Sequence, residues 1–231
     1  MSMKKKIATG ALLVAFGATA VTGATLAYFT DTDNATNTFT VGNVQIDLVE
    51  KNADGNDFTN DQKLMPGSKT TNNIAKKVTV TNEVGSSPAY MWIEVWVPAA
   101  LDDGDDNSPT APGLGNSLHF NYGTTVVETK STYLGSKEID GVSYNGYVHY
   151  VPNQTPVEAG ESTIQLLDQV YMDKKVTQNE NGQLILADGK TVYTGDWELV
   201  INGVGIQAEG INGVTNAISE YYSKDVTQYL W

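Results

Sequence analysis

The sequence contains no cysteine. Disulfides, thiol nucleophiles and thiolate metal sites are therefore excluded. A chain of 231 residues without them must hold together by its core and its strand ladders. Histidine is nearly absent too: His119 and His149 are the two. There is no H-E-x-x-H and no histidine pair at helical spacing, so no zinc-peptidase motif is visible. No G-x-S-x-G nucleophile turn is visible either. Positive charge is scarce, with 14 Lys and Arg against 27 acidic residues and a net charge of −13. Lys4, Lys5 and Lys6 supply part of even that. Without them the balance is 11 against 27, or −16. Such a chain repels nucleic acid and anionic lipid headgroups at long range, so nucleic acid is not an expected partner. The 40% apolar content is ordinary and permits a real core. The length suits one sizeable β domain or two small ones.

The head reads "MSMKKK", a short basic region, followed by "IATGALLVAFGATAVTGATLA", 21 residues without a charge. A helix of that length can cross about 30 Å of hydrocarbon, so a retained anchor is one reading. The run is diluted by Gly, Ala and Thr, ends in small residues and meets no basic stop-transfer cluster. Those features fit a cleaved signal peptide better. Two cleavage sites compete, after Ala18-Thr19-Ala20 and after Thr25-Leu26-Ala27, and residue chemistry alone does not separate them.

Beyond the head the pattern is one of strands. Phe39 and Val41 share one parity and Val44, Ile46 and Leu48 the other, which places a bend at Gly42-Asn43. "IAKKVTVTN" (74–82) alternates as a half-exposed strand. "PAYMWIEVWVP" (88–98) is the strongest strand, bounded by two prolines. Residues 51–62 and 99–116 are polar, acidic loops. Shorter strands are expected near 117–121, 124–128, 132–139 and 142–151, then a turn and strand over 159–173, a hairpin turning at Asp188-Gly189, and a strand in "VGIQAEG". One helix is expected, over 213–224, with Val214, Ala217, Ile218 and Tyr221 on one face. The fold class is all-β in the main: an antiparallel, jelly-roll-like β-sandwich with long loops and one short helix.

Several stretches resemble the TasA/CalY, camelysin-like family of secreted biofilm matrix fibre proteins. The head through "TLAYFTD" resembles the family's signal peptide, which a SipW-type signal peptidase processes. "NTFTVGNVQIDL" resembles the start of its mature domain. "LMPGSKTTNNIAKKVTVTNEVGSSPAYMWIEV" resembles its strand pair. "AGESTIQLLDQVYMD" and "GVGIQAEGING…AISEYY" resemble its later sheet. The resemblance implies cleavage between Ala27 and Tyr28, in a Gram-positive bacterium that releases the protein to its surface or matrix. It divides the chain into a signal peptide (1–27), an N-terminal arm (28–38) and a sandwich domain (39–231). It further implies donor-strand complementation, in which the freed arm of one subunit completes the sheet of the next. Tyr28, Phe29, Thr30, Thr32, Ala35, Thr36 and Thr38 would then be the donor strand. The partners so implied are further copies of the chain in a head-to-tail homopolymer, and an accessory fibre or anchor protein. The residues agree: "YFTDTDNATNT" is β-permissive but too polar to bury alone, and such a segment can add to a sheet edge. The plainer reading is a frayed terminus.

Chemistry is thin. Relatives classed as metallopeptidases keep a camelysin-type enzyme as the alternative function, although His119 in "SLHFN" and His149 in "YVHYV" read as ordinary strand histidines. "DGNDFTND" and "DDGDDNS" are hard-oxygen clusters of the kind Ca²⁺ prefers. Their candidate ligands are Asp54, Asp57, Asp61, Asp102, Asp103, Asp105 and Asp106, and a monomeric calcium-dependent adhesin is the third function. Neither cluster completes an EF-hand loop, and both also read as acidic surface loops. No other cofactor is expected. Finally, Tyr90, Trp92 and Trp96 share the second face of the strongest strand. They line a subunit contact or lie beneath a loop or the 213–224 helix.

Overall fold

A computed structural model describes residues 44–102, 117–121, 129–194 and 198–222, leaving aside Asn60, Asp61, Lys63 and Lys69. The strands in chain order are β1 (Ile46–Lys51), β2 (Pro66–Gly67), β3 (Ile74–Asn82), β4 (Ala89–Pro98), β5 (Leu118–Asn121) and β6 (Lys130–Ile139). They continue with β7 (Val142–Tyr150), β8 (Leu167–Asp173), β9 (Thr177–Gln178), β10 (Leu184–Ile185), β11 (Val192–Tyr193) and β12 (Val200–Gln207). One helix follows, α1 (Val214–Tyr222).

Two sheets form the sandwich. In one, β3 lies between β1 and β8, and β8 also pairs with β2 and β5. The other has the order β12-β4-β7-β6. A small third sheet, β11-β10-β9, carries the expected turn at Asp188-Gly189. There Gly189 takes φ +71°, and the Asp188 carboxylate accepts from Lys190 N, Thr191 N and Thr191 Oγ1. Pairing is antiparallel as expected, except for β2 and β8, which run parallel.

Alternation builds the core. Met91, Ile93, Val95 and Val97 of β4 point inward against Ile46 and Leu48 of β1, Val78 and Val80 of β3, and Val170 and Met172 of β8. The opposite face of β4 is covered by α1, whose Val214, Ala217 and Ile218 pack with Tyr90, Trp92, Val148 and Ile206. The molecule thus has three layers: sheet, sheet and helix. Where β4 outruns β7, a side chain replaces a strand. The Gln154 amide donates to Met91 O (2.9 Å) and accepts from Met91 N (2.8 Å).

Candidate functional site

The feature best placed to act on another chain is a pair of sheet edges. β1 pairs with β3 from Ile46↔Asn82 to Lys51↔Lys77. β12 pairs with β4 from Val200↔Trp96 to Gln207↔Ala89. Among the described residues no strand pairs with either on its other side. In antiparallel pairing, successive residues aim their backbone groups to alternate sides. Gln45 O accepts Glu83 N from beyond the end of β3, so Ile46, Leu48 and Glu50 aim theirs outward. Ala208 N donates to Pro88 O beside β4, so Ile201, Gly203, Gly205 and Gln207 aim theirs outward. Glu50 O is taken by Phe58 N; the outward groups of the other residues are of the kind an extended peptide can join.

The two edges meet across the sandwich because β12 has glycine there. A Cβ on Gly205 would lie 2.9 Å from Ile46 Cγ2 and 3.3 Å from Val44 Cγ1. At Gly203 it would lie 3.5 Å from the δ-methyls of Ile46 and Leu48. Side chains of β1 therefore occupy the space that side chains of β12 would take.

At its far end β1 carries a buried ion pair. Lys76 Nζ lies 2.5 Å from Glu50 Oε2, with the two side chains 2% and 6% exposed. Lys76 Nζ also sits 3.9 Å over the Phe58 ring. The sequence held a trace of this: Lys76 falls at the inward parity of β3, with Val78 and Val80, and Glu50 falls with Ile46 and Leu48. The half-exposed reading of 74–82 holds, and Lys76 lies on its buried side.

Where the acidic loops are described, their polar groups bond within the chain. Residues 51–57 close a tight hairpin. Asn52 Oδ1 accepts from Asp54 N and Asn56 N, and Gly55 takes φ +80°. Asp57 pairs with Lys51 at 2.5 Å, and that contact holds its carboxyl below the usual range. Asp102 is the clearest correction. Its carboxylate is not on a surface loop but turned into the sandwich, 5% exposed, where Asn145 Nδ2 (3.0 Å) and Tyr147 OH donate to it. Asp61, Asp103, Asp105 and Asp106 lie outside the described residues, as do the expected cleavage site Ala27–Tyr28 and the expected arm 28–38.

The histidines are strand residues, as read, and both are buried. His119 Nε2 lies 3.0 Å from Asp173 Oδ2, and its ring stacks on Tyr171 with centroids 5.0 Å apart. His149 belongs to the other sheet, opposite Ile93. Burial pushes its imidazole down to about 3, so it is neutral at physiological pH. Among the described residues no group of three or more His, Asp or Glu side chains is placed to hold a metal ion.

Tyr90, Trp92 and Trp96 are 7%, 0% and 8% exposed, so the chain covers them itself. Tyr90 OH accepts from Gly213 N at the start of α1. Trp92 Nε1 donates to Tyr222 OH at 3.2 Å, and that hydroxyl donates to Glu94 Oε1 at 2.6 Å. Burial, first, and then the Glu94 charge hold the Tyr222 phenol well above its ordinary range. Trp96 lies flat on Gly146, where a Cβ would come within 2.4 Å of the indole, and Lys137 Nζ sits 3.6 Å over its ring. Of the two expectations for this face, helix cover describes Tyr90 and Trp92, and β6 supplies the cover over Trp96.

Residues 2–92 match a family model described as camelysin metallo-endopeptidase. That first part of the chain resembles the camelysin family. The match ends inside β4, so the camelysin-like segment comprises the head, the arm, the whole of β1 and β3, and the hairpin between them. It therefore includes the β1 edge and the Glu50–Lys76 pair. Comparison with curated proteins and with solved structures gives no match.

Proposed function

We propose that this protein is a secreted structural subunit that joins copies of itself head to tail by strand addition. The carrying observation is the place of β1. It is an edge strand with outward backbone groups at Ile46 and Leu48, and the N-terminal segment runs directly into it. An arm rooted at a sheet edge starts where it can lie along a neighbour's edge. Each backbone hydrogen bond gained is worth about 0.5–1.5 kcal/mol net, against about 1–2 kcal/mol per residue for ordering the backbone. The balance is close, so assembly should depend on protein concentration. A contact of this kind does not close on itself, so it makes filaments.

Deletion of residues 28–38 tests this. The shortened chain should keep its circular dichroism spectrum and form no fibres by electron microscopy. Normal fibres from it would refute the proposal.

The family's description favours a second reading, a metallo-endopeptidase. Casein hydrolysis by the pure secreted protein, abolished by chelator and by His119→Ala/His149→Ala, would establish that reading and remove the first.

A further inference from the structure

The outer edge of β1 is only partly open, because residues 51–58 fold back over it. Phe58 N donates to Glu50 O at 3.1 Å, and Asp57 bridges Lys51. Of the outward-facing residues of β1, Glu50 is thus taken, while Ile46 and Leu48 are not. The covering segment is fastened in two ways. Outside, Lys51 Nζ meets Asp57 Oδ1. Inside, Phe58 lies beneath Lys76, which is itself held by Glu50. The same glutamate therefore offers its backbone oxygen to the segment and its side chain to the lysine that clasps it. Asp47, Val49 and Lys51 of β1 line a shallow groove with Asp57 and Phe58, so the segment also forms a wall beside the open part of the edge.

We propose that residues 51–58 are a strap that regulates strand addition at β1: closed, it limits an incoming strand to the Ile46–Leu48 end, and released, it lengthens the edge through Glu50. This rests on the fibre reading above. Natural edge strands are often protected by a covering loop or charge, and here the protection is held by a few contacts that can be removed singly.

The test uses the secreted protein and two variants, Phe58→Ala and Asp57→Asn. Asp57 is on the surface, so its variant keeps the fold where loss of the Phe58 ring endangers it. Hydrogen exchange at the Phe58 amide, referred to amides in β3, reports strap opening without any assembly. Light scattering with electron microscopy reports the lag before fibres. Both variants should raise Phe58 exchange several-fold and shorten the lag. Faster exchange with an unchanged or longer lag overturns the strap, as does unchanged exchange in both variants. If the unaltered protein forms no fibres, the fibre reading falls and takes the strap with it. Fibres with one common lag for all three proteins remove the strap alone.

Discussion

Replacing Lys76 by Met would leave the Glu50 carboxylate in the core without its cation. The structure sets the size of the effect. The two side chains are 2% and 6% exposed and 2.5 Å apart, so solvent screens neither. Breaking such a pair from one side costs about 3–5 kcal/mol. For a domain of this size that is a fall in Tm of roughly 6–20 °C. Glu50→Leu alone should also destabilise, by leaving the ammonium unpaired. The double variant Glu50→Leu/Lys76→Met removes both charges and both desolvation costs. It should be near wild type, because apolar replacements of buried pairs are commonly neutral or stabilising by about 1–4 kcal/mol. Urea denaturation followed by far-ultraviolet circular dichroism measures all four proteins, and constant m values would show that the unfolded state is unchanged. A Lys76→Met protein within about 1 kcal/mol of wild type, or a double variant worse than both singles, would refute the placement of this pair in the core.

Gly205→Ala should cost about 1–3 kcal/mol by forcing Ile46 away from a Cβ 2.9 Å off; thermal melts measure it, and a neutral result would mean that β1 and β12 are not in contact. His149 gives a pH dependence. Its imidazole stays neutral in the fold down to about 3, while the unfolded chain binds a proton below about 6.5. Between those values the unfolded state holds more protons. This residue therefore removes stability as pH falls through the window, by at most about 1.4 kcal/mol per unit. His149→Leu should flatten that part of the stability-against-pH curve, and an unchanged slope would show that the ring is accessible. N-terminal sequencing of the secreted protein should read Tyr-Phe-Thr-Asp-Thr, and a start at Val21 would place cleavage after Ala20.

The strands with clean alternation were legible in the sequence. Residues 74–82 are β3 to the residue, and β4 fills 89–98 between its prolines. The helix was legible because Val214, Ala217 and Ile218 recur at helical spacing, and all three are buried. What could not be read is what depends on partners distant in sequence. Nothing local says that Lys76 finds Glu50, 26 residues earlier. Nothing local says that Asp102 finds Tyr147, 45 residues later. An isolated acidic run looks the same whether its first carboxylate faces water or the core. The same limit left Tyr90, Trp92 and Trp96 between two readings, since strand parity gives a face but not what lies on it.

The placement of α1 on one sheet has a consequence for shape. The outer side of the β12-β4-β7-β6 sheet carries a helix, while among the described residues no helix lies on the outer side of β1 and β3, where Asp47, Val49, Lys77, Thr79 and Thr81 are exposed or half-exposed. The molecule therefore has a front and a back of unlike chemistry. No twofold turn about the strand direction maps one onto the other. In a ribbon of copies that all face the same way round, the two flanks would be distinguishable. An antibody against α1 would mark one flank and leave the other unlabelled.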